Sequence, residues 1–284
     1  MKVVSTIQEL QEKLKSTGLK PVGLVPTMGA LHNGHLSLVH NAVTLCPVTV
    51  VSIYVNPAQF NDKNDLKNYP RTINEDLVSL RKALRKQDIV FTPDDKEMYP
   101  VEDKREFHFG NLDNVMEALH RPGHFNGVAQ VVSKLFEIVK PDFAFFGQKD
   151  FQQLAVIREL ARQKGYAVNI IGCPIIREED GLAMSSRNTL LDPGIRKKAG
   201  IIYKAIYRAS AMIRDHDIPE VEDYVIKTID NLEGFSVEYF NIVDDKELKP
   251  CTTRTQFKKG LRYFGCIAVK AGNIRLIDNI EIPL

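Results

Sequence analysis

Cysteines are few in this sequence, and long apolar runs are absent. The four cysteines are scattered without a C-x-x-C pair, at Cys46, Cys173, Cys251 and Cys266. This spacing argues against a disulfide framework and more strongly against a zinc site, so a reducing cytoplasm fits the chain best. The longest apolar stretches, such as Val48–Val55, are far shorter than the about 20 residues that span a bilayer. Residues 1–16 contain no small-residue cleavage site and predict a helix rather than a signal peptide.

An excess of charge of one sign is also lacking. The 284 residues include 38 Lys and Arg against 36 Asp and Glu, a net charge of +2, so no global field demands a nucleic-acid or membrane partner. Any anion must therefore be bound by a local arrangement of groups. Hydrophobic residues at 44% and charged residues at 26% are ordinary for a globular protein and exclude a disordered or collagen-like chain. The length suits one large domain or two smaller ones.

Short apolar runs alternate with amphipathic stretches through the first two-thirds of the chain. The runs that predict buried strands are Val22–Pro26, Val48–Val55, Asp88–Pro93, Asp142–Gly147 and Ala167–Gly172. The stretches that predict helices are 34–46, 74–86, Val128–Val139 and Asp150–Lys164. Strands that alternate with helices indicate crossover connections, a mostly parallel sheet and helices on both faces. Ligands of such sheets bind beyond the carboxyl ends of the strands, so we expect the chemistry in residues 26–35, 56–61 and 147–153.

The pattern changes after about Arg177. Residues 194–214 predict one long amphipathic helix, and a second helix is expected over 219–231. Three β-like runs follow, at Ser236–Val243, Tyr263–Lys270 and Asn273–Ile280, with a turn at 271–273 between the last two. Helices followed by antiparallel strands indicate a smaller α+β domain. We therefore divide the chain into residues 1–176 and 177–284.

The most informative motif is H-x-G-H, which directly follows a predicted strand and opens a predicted helix. It lies in the string Pro26-Thr27-Met28-Gly29-Ala30-Leu31-His32-Asn33-Gly34-His35. Unpaired backbone N–H groups at a helix N-terminus favour phosphate, and the two glycines leave room for a nucleotide near the backbone. Imidazolium groups at His32 and His35 could neutralise charge on an α-phosphate and its pyrophosphate leaving group. The alternatives are surface or capping histidines, or metal ligands, although no third ligand stands at helical spacing.

This motif resembles the HIGH signature of the nucleotidyltransferase superfamily, and the fuller string is similar to that of the pantoate–β-alanine ligase family (the pantothenate synthetases). The resemblance spans essentially the whole chain, and its specific motifs lie between residues 26 and 188. It implies a Rossmann-like, doubly wound parallel α/β sheet with a smaller C-terminal α+β lid domain. It also implies that residues Met28 to His35 bind ATP. Asn33 occupies a position that is often acidic in the family.

Two further segments suggest groups for a carboxylate or hydroxyl substrate. Gln59 ends Asn56-Pro57-Ala58-Gln59 after a predicted strand, and its amide offers both donors and an acceptor. By itself it could be an ordinary loop amide, and the resemblance implies that it binds pantoate. Arg121 begins R-P-G-H-F and could pair bidentately with a carboxylate of pantoate or β-alanine, or belong to a structural turn.

The string G-Q-K-D-F-Q-Q joins a predicted strand to a predicted helix. Lys149 is a point charge suited to phosphate, and Asp150 could accept from a ribose hydroxyl or cap the helix. The family pattern G-x-K-D-x-Q-Q is complete. The resemblance implies that Gly147, Gln148, Lys149 and Asp150 contact ATP and that Gln153 contacts pantoate.

A third set of residues resembles the mobile KMSKS loop, without its lysines. The set is Met184, Ser185, Ser186 and Arg187. Hydroxyls and a guanidinium can bind the β- and γ-phosphates as a loop closes, although the same letters alone would suit a solvated loop. By resemblance Ile176 lines the adenine pocket through its backbone. The acidic pair Glu75 and Asp76 is placed near Mg²⁺ by the family pattern, or serves as a dipole partner at a helix start.

The resemblance implies an AMP-forming ligase that joins (R)-pantoate to β-alanine through a pantoyl-adenylate. His35, His32, Lys149 and the three residues Ser185–Arg187 would stabilise the charge that develops, and Mg²⁺ would accompany ATP. The expected partners are these small molecules and a second copy of the chain in a cytoplasmic homodimer, with no nucleic acid and no membrane. The alternatives are a nucleotidyltransferase that makes a dinucleotide cofactor and a non-catalytic nucleotide-binding module. A tRNA ligase is disfavoured because the length leaves no room for an anticodon domain.

Overall fold

The computed structural model describes residues 1–283, and they form two sheets. The first sheet consists of β1 Lys2–Val4, β2 Val22–Thr27, β3 Val48–Ile53, β4 Ile89–Phe91, β5 Phe143–Gly147 and β6 Asn169–Cys173. The second sheet consists of β7 Phe235–Asp244, β8 Tyr263–Ala271 and β9 Ile274–Ile282. The first is wholly parallel and the second wholly antiparallel.

Eleven α-helices connect and flank these strands within residues 1–283. They are α1 Ile7–Thr17, α2 Asn33–Leu45, α3 Lys63–Asn68, α4 Ile73–Ala83, α5 Asp95–Met98, α6 Glu117–His120, α7 His124–Val139, α8 Phe151–Lys164, α9 Pro193–Lys198, α10 Ile201–Met212 and α11 Ile218–Asp230. The predicted fold class, a doubly wound parallel α/β sheet with a smaller α+β part, is confirmed. None of the helices in these residues is both long and apolar enough to cross a membrane.

The order of the parallel sheet is β1-β4-β3-β2-β5-β6. From β2 the chain proceeds outward through β3 and β4 and then crosses to β5 on the other side, so the direction of winding reverses between β2 and β5. These two strands are hydrogen-bonded neighbours, with Gly23 opposite Phe143 and Leu24 opposite Ala144. The loop after β2 and the end of β5 therefore lie at the edge where ligands of such sheets bind.

The chain forms two compact units. Within the described residues, unit 1 comprises residues 1–109, 121–148 and 156–174, and unit 2 comprises residues 110–120, 149–155 and 175–283. The core of unit 1 lies against the parallel sheet and includes Val25, Val39, Val51, Val90 and Phe145. The core of unit 2 packs α10 and α11 on the antiparallel sheet and includes Ile206, Val221, Val225, Ile267 and Val269. The predicted division into 1–176 and 177–284 stays a prediction.

Two sequence predictions about helices are corrected. Residues 1–16 do not form one helix, because Lys2–Val4 pairs with β4 as an edge strand and α1 begins only at Ile7, capped by Thr6. The helix expected over 194–214 is split between Lys198 and Ile201. At this break the N–H groups of Ala199 and Ile202 bond three residues back, which tightens the turn. A Cβ on Gly200 would lie only 2.6 Å from the Asp180 carbonyl oxygen, so this position needs glycine.

Candidate functional site

The H-x-G-H loop of unit 1 follows β2 and opens α2, as the sequence predicts. His32 is the N-cap residue of α2, and its Nδ1 accepts a hydrogen bond from the Gly34 N–H at 3.1 Å. The His32 N–H in turn donates to Nδ1 of His35 at 3.4 Å, and the ring centroids are 4.1 Å apart. In the neutral rings both Nδ1 atoms are acceptors, so both protons lie on Nε2. The capping alternative therefore holds for Nδ1, and each Nε2 carries the ring proton.

Asp76 holds the preceding part of this loop in place. Its carboxylate accepts from the Ala30 N–H at 2.9 Å and from the Leu31 N–H at 2.8 Å, and it is 2% exposed. Ala30 has a φ of 49°, a left-handed backbone that a non-glycine residue adopts at a cost. Gly29 has a φ of 79°, and a Cβ there would lie 3.0 Å from the Asp76 carboxylate. Asp76 thus offsets a local backbone strain next to the two histidines.

The acidic pair that the family pattern places near Mg²⁺ has two members in different surroundings. Glu75 is exposed, whereas both oxygens of Asp76 accept backbone hydrogen bonds and one also accepts from the Thr72 hydroxyl. Residues 1–283 contain no group of three or more His, Cys, Asp or Glu that could hold a metal ion. These donors therefore do not fit a metal site built from protein ligands. A role of the pair toward Mg²⁺ stays a prediction.

Gln59 is buried in a 3₁₀ turn, Pro57–Gln59, after β3. Its Oε1 accepts from Asn56 at 3.3 Å, and its Nε2 lies 3.1 Å from the Met28 sulfur in the loop after β2. Asn56 is fixed in turn, since it donates to the Gly127 carbonyl and accepts from the Tyr99 hydroxyl. Burial raises the pKa of Tyr99, which keeps that hydroxyl protonated and able to donate. The amide of Gln59 therefore has a defined orientation beside the H-x-G-H loop.

Gly127 lets α7 approach this turn closely. A Cβ on Gly127 would lie 2.3 Å from the Ala58 carbonyl oxygen and 2.6 Å from the Gln59 nitrogen, both backbone atoms that cannot rotate away. We expect Gly127→Ala to displace the turn, to lower the free energy of unfolding by about 1–3 kcal/mol and to weaken any ligand contact of Gln59. Urea unfolding measures the first effect, and Gly194→Ala, on the exposed side of α9, is the matched control. A Cβ there would lie 3.1 Å from the exposed Asp192 carboxylate, a side chain that can move, so this variant should lose less stability than Gly127→Ala. Equal stability of the two variants would contradict this packing argument.

The remaining predicted site residues of unit 1 are Arg121, Gly147 at the end of β5, and Gln148. Arg121 contacts the first residue of α7, where its Nη1 lies 3.0 Å from Nε2 of His124. Gln148 continues the sheet by donating its backbone N–H to the Cys173 carbonyl. A Cβ added at Gly147 would meet nothing within 4 Å, so packing within the protein does not require glycine there.

In unit 2, Lys149 and Asp150 precede α8, and two adjacent glutamines follow. Lys149 lies 3.9 Å from Asp150, and the Asp150 carbonyl accepts the first hydrogen bond of α8 from Leu154. Gln152 is buried and fully engaged, because it donates to two carbonyls of residues 112–115 and accepts from the Glu117 N–H. Gln153 is only partly buried. Of the two glutamines in the motif, the first is therefore structural, and a ligand contact of the second stays a prediction.

The loop with the motif M-S-S-R also lies in unit 2 and returns to Ile176. The Met184 N–H donates to the Ile176 carbonyl at 3.0 Å, so these two predicted ATP-binding residues are direct neighbours. Ser185 caps the following 3₁₀ helix, Ser186–Leu190, by accepting from the Arg187 N–H. Asn188 ties this helix back through a hydrogen bond to the Ala183 carbonyl.

Two neighbouring residues of β9, Asp278 and Asn279, hold the segments of unit 2 that carry Ile176 and Lys149. The sequence analysis identified neither of them. Asp278 is buried and pairs with Arg177 at 2.6 and 3.0 Å, next to Ile176. Burial raises the pKa of Asp278, and Arg177 opposes the rise. Asn279 donates to the Lys149 carbonyl at 3.0 Å. More than 100 residues separate the partners, and no local sequence signal connects them.

Comparisons with known proteins are decisive about the family. The sequence model of the family described as "Pantoate-beta-alanine ligase" matches residues 2–281. The chain belongs to the pantoate–β-alanine ligase family. It is 50% identical over 283 residues to the pantothenate synthetase of Bacteroides thetaiotaomicron, with 99% of each chain covered. The resemblance seen in the sequence motifs is thereby confirmed.

Solved structures of the family have the same fold over the full length. The crystal structure of pantothenate synthetase from Thermus thermophilus superposes with a TM-score of 0.91 at 39% identity, covering 100% of both chains. The pantoate–β-alanine ligase of Francisella tularensis, solved in complex with β-γ ATP and β-alanine, gives a TM-score of 0.79 at 33% identity, with 99% of this chain and 97% of that chain covered.

Proposed function

We propose that the chain catalyses the ATP-dependent condensation of (R)-pantoate with β-alanine to pantothenate, AMP and pyrophosphate. Family membership supports the reaction class, and the observation that carries the proposal is the H-x-G-H geometry. In both imidazoles Nδ1 accepts from a backbone N–H, so the ring proton lies on Nε2 and makes that nitrogen a donor beside the N-terminus of α2. The N-terminus of α2 adds the partial positive charge of its N–H groups, which favours a phosphate chain.

The reaction proceeds in two displacements. First, a pantoate carboxylate oxygen attacks the α-phosphorus of ATP, a P–O bond forms, and the bond to the β-phosphate bridging oxygen breaks to release pyrophosphate. Second, the β-alanine amine attacks the acyl carbon of the mixed anhydride, loses a proton and expels AMP. The first step makes a good leaving group out of a carboxylate oxygen, and the protein has only to align the groups and stabilise the charge.

The proposed residue roles follow the described geometry. The loop Met28–His35 takes the triphosphate, and the His32 and His35 Nε2–H groups donate to phosphoryl oxygens as negative charge develops. Gln59 orients pantoate with its fixed amide, and Gln153 is proposed to do the same because its neighbour Gln152 is already engaged. Arg121 is proposed to contact a carboxylate substrate.

Further roles are proposed for residues around Lys149 and the M-S-S-R motif. Lys149, Ser185, Ser186 and Arg187 provide charge and donors for the phosphates of ATP. Contacts with the rest of the nucleotide are assigned to Gly147, Gln148, Asp150, Ile176 and Met184. Mg²⁺ is proposed to enter with ATP as part of the substrate, held by phosphate oxygens and water. We also propose, from the family resemblance, that the chain forms a homodimer and is cytoplasmic. Analytical ultracentrifugation measures the molecular mass and tests the homodimer.

The test is ATP–pyrophosphate exchange with pantoate as the sole second substrate, followed by measurement of AMP on adding β-alanine. We expect exchange to require pantoate and AMP to form only with both substrates. Acetate in place of pantoate is the control and should support neither. No exchange with pantoate, as expected of a nucleotidyltransferase that uses a different acceptor, or no AMP with both substrates, as expected of a binding module, would reject the proposal.

A further inference from the structure

One histidine outside the H-x-G-H motif joins two residues with proposed substrate roles. His124 is the first residue of α7 and is 5% exposed. Its Nδ1 lies 2.8 Å from the Gln59 carbonyl oxygen, and its Nε2 lies 3.0 Å from Nη1 of Arg121. One ring thus bridges the turn that carries Gln59 and the R-P-G-H-F segment that carries Arg121.

The two partners determine where the proton of this ring lies. A carbonyl oxygen only accepts and a guanidinium only donates, so Nε2 accepts from Arg121 while Nδ1–H donates to Gln59. The ring is therefore neutral, in the tautomer opposite to that of His32 and His35. Because both nitrogens are occupied by protein groups, His124 has no atom left for proton transfer to a substrate.

What the ring controls is the position of the Gln59 backbone. The side chain of Gln59 is oriented by Asn56 and Met28, and the turn that presents it packs directly against α7. The contacts with α7 include the His124–carbonyl hydrogen bond, the Asn56 bond to the Gly127 carbonyl and the close approach of Gly127 to Ala58. Loss of the His124 bond would leave a buried carbonyl without this donor and allow the turn to shift.

We propose that His124 is a positioning residue for pantoate binding, acting through its Nδ1–H bond to the Gln59 carbonyl; this rests on the proposed role of Gln59. This proposal gives the R-P-G-H-F motif a structural role. The motif supplies the imidazole that holds the substrate-binding glutamine, and Arg121 fixes the tautomer of that imidazole.

Two substitutions separate the two contacts. In His124→Asn the side-chain amide can place a donor near the former Nδ1, and in His124→Gln it can place an acceptor near the former Nε2. We expect His124→Gln to raise the KM for pantoate about tenfold, the effect of about one lost buried hydrogen bond. His124→Asn should stay within about threefold of the wild type, and the KM for ATP should change less than about twofold in both. Any other pattern, including equal effects of the two variants or a parallel rise in the KM for ATP, overturns the proposal.

A second measurement observes the imidazole of His124 directly in the wild-type chain. Long-range ¹H–¹⁵N NMR distinguishes the tautomers of the imidazoles, and comparison with the spectrum of His124→Asn or His124→Gln, each of which lacks this histidine, identifies its signal. We expect a neutral Nδ1–H ring whose shifts change on addition of pantoate. A charged ring, an Nε2–H ring or shifts unmoved by saturating pantoate would reject the positioning role. If the wild type itself forms no AMP with both substrates, the proposed function fails, whatever tautomer is seen.

Discussion

His35→Ala is expected to lower the kcat for pantoate-dependent AMP formation about 100- to 1000-fold. In the proposed reaction, the substitution removes a donor to oxygens that gain negative charge only as the α-phosphorus is attacked, and such donors are worth about this much. Binding in the ground state uses many other groups, so the KM for ATP should change far less than kcat. Initial rates of AMP release over a range of ATP concentrations measure both quantities.

Two further variants of helix α2 make this result interpretable. His40 lies in the same helix and is exposed, so His40→Ala should keep kcat within about twofold of the wild type. His35→Asn retains an oxygen that can accept from the His32 N–H but has nothing at the position of Nε2. It should be nearly as inactive as His35→Ala. Recovery of activity in His35→Asn would show that capping of α2, and not donation from Nε2, is the role of His35.

The sequence predicts the strands and the loops at their carboxyl ends well, because these follow from local pattern. The apolar run that forms β2 and the H-x-G-H string after it can be placed without any tertiary knowledge. The same holds for the hairpin between β8 and β9, where Gly272 and Asn273 form a two-residue turn flanked by the pair Ala271 and Ile274. Elements defined by a period of two or 3.6 residues and by turn residues are visible in the chain itself.

Features that depend on distant contacts could not be predicted. The sequence suggests Asp76 either near a metal or as a dipole partner, and its hydrogen bonds to Ala30 and Leu31 connect residues 46 and 45 apart. The division of the 194–214 helix arises from the approach of Gly200 to the Asp180 carbonyl, which no periodicity reveals. The edge strand Lys2–Val4 is only three residues long, and its pairing with β4 decides its conformation.

The sequence also could not show which residue of a motif has which role. The two glutamines of G-Q-K-D-F-Q-Q are consecutive residues of α8 and have the same side chain. The contacts with Leu112, Val115 and Glu117 show that Gln152 is the structural one. His124 lies in the R-P-G-H-F motif, where the sequence suggests a role only for Arg121. A histidine three residues after an arginine is the available signal, but its meaning requires the Gln59 carbonyl, 65 residues away.

Arg275→Met is expected to have the largest effect on stability, lowering the free energy of unfolding of unit 2 by about 3–5 kcal/mol. Arg275 binds both oxygens of Glu117 at 2.7 Å and donates to Glu238 at 2.7 Å. Burial acts to lower the pKa of Arg275, but the hydrogen bonds and charges of these two carboxylates outweigh it and the pKa lies above its ordinary value. Without the guanidinium, Glu238 still faces Lys270 and His120, whereas Glu117 loses the cation that binds both of its oxygens.

The matched control is Arg262→Met, which removes another bidentate arginine, one that directly precedes β8. Arg262 pairs with Glu281 at 2.8 and 2.6 Å, and the two side chains are 58% and 49% exposed, against 24% and 10% for Arg275 and Glu117. An exposed pair is weakened by water and salt, so this variant should lose at most about 1 kcal/mol. Urea unfolding followed by circular dichroism measures both, and equal losses would contradict the argument from burial.

The double variant Arg275→Met with Glu117→Gln decides whether the loss comes from an uncompensated charge. Neutralising Glu117 should restore about 1–3 kcal/mol, since the remaining amide can still accept from Tyr239, whose pKa is raised by burial and by Glu117 so that its hydroxyl stays a donor. Hydrogen exchange should locate the single-variant effect in residues 110–120, because the Glu117 N–H is bonded to Gln152, three residues after Lys149. The ion pairs of Arg275 with Glu117 and Glu238 would then stabilise residues 110–120, the segment that holds the G-Q-K-D-F-Q-Q motif. A double variant no more stable than Arg275→Met would show instead that the loss comes from the packing of the arginine side chain.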